Sequence, residues 1–449
     1  MINLITGPEP ATAPRERKAE DPFEILVAGD FSGRESRGVL EPLAGRKPLL
    51  VDRDNFDEVL ARLQPDLWLK QEPPAKGPQM TFRSLEDFHP DALYARYPRL
   101  FEAPQAMAAA PAAALAAVAS TGVPRTGASV LDELIAESDS MPVPVPQPGE
   151  LQDFIDRVTA PHLARKPTAQ ETQRAEQTRD AAATAMRALL HHRAFQALEA
   201  AWRGLFFLVR RLETDEHLKI YLLDASRAEL AEAVQAGSLP AVLAGRKWAA
   251  IAGIYRFGRS SAEVRLLDRL GRVAQALGAA WLAESGVPGD GDEDRDAWEQ
   301  LRRAPHARNI GMILPRFLLR HPYGNHGESV ESFAFEEMDA EPVHEHYLWG
   351  NPALAVALLL GQAFEEEGWD MHPGAVLNID KLPLHAYRSQ GESLMKPCAE
   401  VWMTEMDAAM LLAEGIMPLA SLKNSDSVRL VRFQSIAEPA ARLAGPWES

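Results

Sequence analysis

The chain holds a single cysteine, Cys398, in 449 residues. No disulfide can form within it, which suits a reducing compartment. Long apolar runs are also missing. The longest, 353–360, falls well short of the roughly 20 residues that a membrane helix needs. The first twenty residues lack the apolar core of a signal peptide. Positive charge is scarce: 47 Lys and Arg stand against 64 Asp and Glu, a formal net charge of −17. A general binder of nucleic acid or of anionic membranes needs a basic footprint, so both classes are disfavoured. The turn Gly29-Asp30-Phe31-Ser32-Gly33-Arg34 has glycines but no Gly-Lys-Ser/Thr, so it fits no nucleotide fingerprint. There is no Gly-x-Ser-x-Gly elbow, and Ser32 and Ser332 have no base partner in a motif. The expectation is a cytoplasmic protein with no cofactor and no membrane insertion.

What is present reads as a globular chain of mixed α/β class, long enough for two or three domains. Residues 1–20 are polar and proline-bearing, a flexible lead. Phe23-Glu-Ile-Leu-Val-Ala, apolar but for Glu24, predicts a strand. Phe56, Val59, Leu60 and Leu63 share one face of a predicted helix, with Asp54 as its N-cap. A short strand follows at 67–69, then another from Met80 that runs into a helix. Alanine and proline dominate 104–128, a linker. Residues 129–188 read as a helical and extended connection, with a helix at 130–137 and a solvated helix or mobile loop at 167–184. Leu190, Phe195, Leu198, Trp202, Leu205 and Val209 recur at helical spacing and predict one packed helix. Strands are predicted at 218–224 and 248–257, and an amphipathic helix at 264–282.

The stretch 298–351 is the most distinctive. Ile310 to Leu319 is apolar but broken by Pro315 and Arg316, as in a buried strand that proline stops. Pro322-Tyr323-Gly324 is a turn signal. Phe333 and Phe335 alternate with small or polar neighbours, which predicts a half-buried strand. Asn351-Pro352 opens a long apolar helix, with proline in its first turn.

Four ordered motifs in this stretch carry a resemblance: Trp298-Glu-Gln-Leu-Arg; Leu314-Pro-Arg-Phe-Leu-Leu-Arg-His-Pro-Tyr-Gly; Phe333-Ala-Phe-Glu-Glu; and Tyr347-Leu-Trp-Gly-Asn. They resemble the large sheath subunit (TssC) of the bacterial type VI secretion system. The segment His192 to Leu205, Gly415-Ile-Met-Pro-Leu and pieces near 377–400 and 431–435 match the same family. A second resemblance covers 20–103, to the small sheath subunit (TssB): Pro22-Phe-Glu-Ile-Leu through Gly29-Asp-Phe-Ser-Gly-Arg, Asn55-Phe-Asp-Glu-Val-Leu, and Phe82-Arg-Ser-Leu-Glu-Asp-Phe-His-Pro-Asp. Together they imply a fusion, with 21–103 as a small-subunit-like domain and 189–449 as a large-subunit-like one. One departure is Ile254, where the family has aspartate in Gly-Asp-Tyr-x-Phe. Another is that a further C-terminal region follows in the family, where it contacts the inner tube and links neighbours.

The resemblance implies a non-enzymatic subunit of a contractile sheath or sheath-like assembly with a contractile-sheath-like fold. Its partners would be itself, other sheath subunits, the inner tube, the baseplate and a recycling ATPase. The family's unfoldase-recognised helix would fall near 130–139. A non-polymerising relative that caps, nucleates or regulates a sheath is the alternative, and the missing region tilts toward it. From another class comes a metal-dependent hydrolase using His344 and His346, since His-x-His is a common ligand spacing. Asp290-Gly-Asp-Glu-Asp-Arg-Asp resembles the start of a calcium loop but has Arg295 where glycine is needed. Cys398 with His385, and the pair Glu336-Glu337, are weaker catalytic candidates; on a strand those two carboxylates would face opposite ways. The structural or interface candidates are Asp30, Phe31, Phe88, Trp202, Arg203, Arg308, Pro315, Arg316, Arg320, Tyr323, Phe333, Phe335, Trp349 and Asn351. Among them Arg203, Arg308, Arg316 and Arg320 are placed to pair with acids of a neighbouring subunit. The aromatics are core or interface anchors.

Overall fold

The computed structural model describes residues 20–69, 79–101 and 168–448, apart from 290, 292, 326, 340 and 390. The expected lead up to residue 19, the linker 104–128 and the helix at 130–137 lie outside these residues. One compact unit comprises 1–100 together with 183–449, and a second comprises 101–182. What is described of the second is chiefly the start of the helix Ala169–Leu190, whose first turns are exposed.

The first unit is built on a nine-stranded sheet. Its strands are β1 (Phe23–Gly29), β2 (Leu49–Val51), β5 (Leu218–Asp224), β6 (Trp248–Phe257), β7 (Ala280–Ser285), β8 (Ile310–Leu314), β11 (Asn378–Ile379), β14 (Ile416–Ser421) and β15 (Val428–Leu430). Three two-stranded sheets pair β3 (Asp66–Trp68) with β4 (Gln79–Thr81), β9 (Phe317–Leu318) with β10 (Trp349–Gly350), and β12 (His385–Ser389) with β13 (Glu392–Lys396). The large sheet runs β11-β15-β14-β8-β7-β6-β1-β5-β2. Its six central strands are parallel, and antiparallel strands finish both edges.

Residues 21–100 therefore form no large sheet of their own. β1 lies between β5 and β6, with Phe23 opposite Leu218 on one side and Val27 opposite Ala252 on the other. All seven residues of β1 are buried. Apart from Glu24, which is paired with Arg246, its residues are apolar on both faces, as suits a parallel strand covered on both sides.

The helix Pro352–Glu367 lies across β6, β7 and β1 on one face. Every residue from Pro352 to Gly361 is buried, and an all-round apolar helix has to be a central one. Burying each of its leucines is worth about 1.5–3 kcal/mol. The helix Arg193–Arg211 packs outside it, with Gly204 against Leu354. The other face carries the helices Arg227–Gln235, Ser261–Leu277 and Arg295–Arg302 over a core that includes Trp248, Trp281 and Trp298. No helix among the described residues is long and apolar enough to cross a membrane.

Several local expectations change. The predicted helix at 264–282 ends at Leu277, because Gly278 takes φ +65° and its N–H closes the last turn. Leu282 instead lies in β7, whose apolar run continues the helical phase and hid the boundary. The single helix through Leu190 and Val209 is two. His192 leaves the helical conformation (ψ 126°), and its ring Nδ1 accepts the Ala194 N–H to cap the second helix. Residues 169–184 resolve as helix rather than loop. Asn55, not Asp54, occupies the N-cap of Phe56–Leu63. Phe333 and Phe335 are both buried, with exposed neighbours, yet they form no strand. Their extended segment is held by side chains: the Asp91 carboxylate accepts the N–H groups of Glu331 and Ser332 at 2.8–3.2 Å. The period of two is real, but a ladder does not cause it.

Candidate functional site

Two buried charge networks organise the first unit. The first joins the turn after β1 to the end of β5. Asp224, at the last position of β5, accepts the N–H groups of Phe31 and Ser32 at 2.9 and 3.0 Å on one oxygen. Its other oxygen accepts the Ser32 hydroxyl at 2.7 Å and Arg34 Nε at 3.1 Å. Arg34 also reaches Glu229 at 3.0 Å and Glu41 at 2.8 Å. Arg46 donates to Glu229 at 3.1 Å and to the Asp224 carbonyl at 2.6 Å. Burial works against the charged form of Arg34, but the carboxylates of Glu41, Asp224 and Glu229 outweigh it and move its titration up. Gly33 makes the turn possible. Its φ is +73°, and a Cβ there would stand 2.4 Å from the Asp66 carbonyl oxygen.

Apolar anchors complete this seam. Trp202, fully buried, donates its indole N–H to the Phe31 carbonyl at 2.8 Å. The Phe31 and Phe56 rings meet it edge-on at 5.2 and 5.8 Å. Phe88 stacks on Phe82 at 4.1 Å, and both rest against Phe195. Asp30 accepts the N–H groups of Arg34 and Glu35, each at 2.8 Å, and burial pushes its carboxyl up.

The second network is centred on Arg320. Its guanidinium donates to Glu199 at 2.8 Å and to Glu337 at 2.7 and 3.0 Å. Glu199 is fully buried and Glu337 is 1% exposed. Arg203 donates to Glu199 at 2.7 Å and to the Tyr323 hydroxyl at 2.8 Å. Arg320 lies over the Tyr323 ring, 4.1 Å from its centre. The Tyr323 N–H donates to Glu337 at 2.8 Å. Burial would raise the Glu199 carboxyl, but Arg320 and Arg203 hold it below its ordinary range. Next to this cluster His191 stacks on His346 at 3.7 Å. Burial first, then His346 and Arg320, drive His191 down to about 3. Glu337 stands 3.8 Å from that ring, and the shift is downward all the same.

The structure thus gathers Phe31, Phe88 and Trp202 with Asp30 in one place, and Arg203, Arg320 and Tyr323 in another. The acids paired with Arg203 and Arg320 are within the chain rather than on a neighbour, as is Glu400 for Arg316, at 3.0 Å. Arg308 pairs with Glu448 on the surface. Trp349 is buried and donates to the His344 carbonyl at 3.1 Å. Phe333 and Phe335 pack on each other at 5.5 Å. Pro315 follows β8, and Asn351 caps the central helix through the Ala353 N–H at 3.0 Å. Sequence reasoning missed Asp224, Glu229, Glu199 and Glu400. Glu199 had a signal, its spacing of four from Arg203 on the same helix.

The catalytic readings find other uses for their residues. His344 and His346 lie in a short 3₁₀ turn, not a strand. The His344 ring contacts Glu400 at 3.0 Å and Lys396 at 2.9 Å, whereas His346 stacks on His191. No group of three or more metal-ligating side chains occurs among the described residues. The Cys398 thiol faces the Pro383 carbonyl, and burial pushes it up to about 11. His385 instead contacts the Tyr347 hydroxyl at 2.7 Å. Glu336 is exposed and bonds Asn325, while Glu337 is buried on Arg320. Of the acidic loop, 290 and 292 lie outside the described residues, and Asp294 caps the helix Arg295–Arg302.

Two families match. VipA (Type VI secretion system, VipA, VC_A0107 or Hcp2) matches residues 8–108. VipB (EvpB/VC_A0108, tail sheath N-terminal domain) matches 176–240 and 291–437. Models of the small and the large type VI sheath-subunit families thus match separate parts of this one chain. A type VI secretion system sheath protein, TssC1, from Pseudomonas aeruginosa is 31% identical over 290 residues. Those residues are 56% of this chain, and the chain spans 58% of that relative's length. Two solved structures, both of the anti-feeding prophage, are 14% identical. Its baseplate aligns with TM-score 0.32 over 55% of this chain and 53% of that one. Its contracted helical sheath aligns with TM-score 0.29 over 54% and 53%.

The two networks fall differently on these matches. Glu199, Arg203, Arg320, Tyr323 and Glu337 all lie within the large-subunit match. The Asp224 network crosses from one family to the other, with Phe31, Ser32 and Arg34 in the small-subunit match and Asp224 and Glu229 in the large. The stretch between the two large-subunit segments, 241–290, which includes β6 with Ile254, is matched by neither.

Proposed function

We propose that this protein is a structural subunit of a type VI contractile sheath or sheath-like assembly, working through subunit contacts and not through catalysis. Residues 21–103 and 189–449 are its small- and large-subunit-like parts, sharing one sheet. The observation that carries the reading is the Asp224 seam: a turn from one sheath family is locked by buried, charge-assisted bonds onto a strand of the other. An enzyme would be expected to keep reactive groups open to substrate, whereas these networks spend their donors and acceptors on each other. The partners of this reading are further copies, other sheath subunits, the inner tube, the baseplate and a recycling ATPase, all in the cytoplasm.

Negative-stain electron microscopy of the purified chain, alone and with sheath and tube components, tests this. Long tubules support a polymerising subunit. Discrete complexes formed with sheath components support a capping, nucleating or regulating relative. A chain that stays monomeric and joins none of these components overturns the reading.

A further inference from the structure

The two networks leave one place in the fold unused. At the carboxyl ends of β6, β7 and β8 a groove encloses about 580 Å³. Ligands of parallel sheets bind at this end of the strands, and the volume lies within the range of binding pockets. Its walls are Leu314, Pro315, Trp402, Met403, Met410 and Leu411. The last two belong to the helix Glu405–Ala413. Trp402 is 53% exposed, Met410 57% and Met406 73%. Apolar surface therefore continues beyond the cavity, farther than a small ligand would cover. Tryptophan and methionine are side chains favoured at protein-binding surfaces.

The floor is a carboxylate. Glu284, in β7, is 7% exposed. Among the described residues its one hydrogen-bond donor is the Asn351 amide, at 3.3 Å. The Arg256 guanidinium stands at 3.8 Å, beyond hydrogen-bond reach. Burial pushes Glu284 up to about 7. The other charges around the groove are Arg316, Glu400, Asp407 and Glu414. Arg316 is taken by Glu400, and Glu414 by Arg259 at 2.8 Å. Asp407 caps its own helix and keeps its charge. With Arg259 counted beside Arg256 and Arg316, four carboxylates face three guanidiniums, and Glu284 has no hydrogen-bonded cation among the described residues.

We propose that this groove receives a segment of another polypeptide in which one lysine or arginine is flanked by aliphatic residues. The cation reaches Glu284, and the aliphatic carbons cover Trp402 and Met410. The inference does not rest on the sheath reading, since it concerns a groove in the folded chain whether or not that chain polymerises.

Fluorescence anisotropy on the full chain tests it. The probes are two fluorescein-labelled peptides, Gly-Ser-Leu-Leu-Lys-Leu-Leu-Ser-Gly and the same sequence with glutamate for lysine. The lysine peptide is expected to bind about tenfold tighter or more. A chain of net charge −17 attracts cations generally, so variants decide the site. Trp402→Ala, at an exposed position that leaves the core intact, is expected to weaken the lysine peptide about tenfold. Glu284→Gln is expected to abolish the preference for lysine over glutamate. Absent binding at millimolar chain, equal binding of the two peptides, or lysine-peptide binding unchanged by Trp402→Ala overturns the proposal.

Discussion

The Arg320 and Asp224 networks are built from the same chemistry and hold different things. Around Arg320 one guanidinium faces two buried carboxylates, and every partner comes from the large-subunit match. Around Asp224 one carboxylate collects two backbone N–H groups, a hydroxyl and a guanidinium, all from the small-subunit match. The first fastens loops to a helix within one half. The second fastens one half to the other. A buried charge is costly to strand, whichever job it does. The difference lies in which part of the molecule loosens when a network is broken.

Arg320→Ala should have the largest effect, because it leaves Glu337 buried without its cation and Glu199 with Arg203 alone. A loss of about 3–5 kcal/mol is expected from urea unfolding, with faster amide exchange confined to 317–337 and the adjoining helix. A loss below about 1 kcal/mol would mean that the network is not buried as described. Asp224→Asn comes next. It keeps the shape but weakens four charge-assisted bonds, and about 1.5–3 kcal/mol is expected. Here the exchange should quicken in the turn 30–37 and spare 317–337. If both variants loosen the same segments, the two networks are one cooperative unit and the contrast fails.

A third, smaller effect depends on pH. Burial opposes the Glu400 carboxylate, but hydrogen bonds from His344 and Arg316 outweigh it and hold its carboxyl at about 2. Its contribution to stability is therefore present above the ordinary value of 4.5 and is lost as pH falls toward 2. Glu400→Gln should unfold more easily than the parent at pH 6, and the gap should narrow between pH 4.5 and 2. A gap that does not change with pH would show that packing, not charge, matters there. The smallest effect belongs to the pair Arg308 and Glu448, both well exposed. Arg308→Ala should cost about 0–1 kcal/mol in the same urea titration. A larger loss would move this surface pair into the class of the buried networks.

Much of the fold was legible because its signals are local. β1, β5, β6 and β8 are predominantly apolar, and the central helix is apolar all round up to Gly361. The place of β1 was not legible, since nothing in Phe23–Gly29 says that its neighbours begin at Leu218 and Trp248. At the site, Arg320 and Tyr323 stood out as residue types, and so did Trp202. Their acids did not. Glu199 lies on the buried face of a helix where a carboxylate reads as misplaced or solvated. Glu337 continues the period of two set by Phe333 and Phe335, so the pattern that suggested a strand also marked the buried acid. Asp224 looked like the polar end of a strand, and only the fold brings it to a turn 193 positions earlier in the chain.

That separation also sets a timetable. β1 is synthesised well before either of the strands that flank it. At roughly 5–20 residues per second, this seven-residue strand waits about 10–40 seconds before the first neighbour is made. Throughout that time it is an unpaired edge on a nascent chain. Carrying both matches in one polypeptide secures equal numbers of the two parts, and it leaves β1 waiting for partners that are made much later.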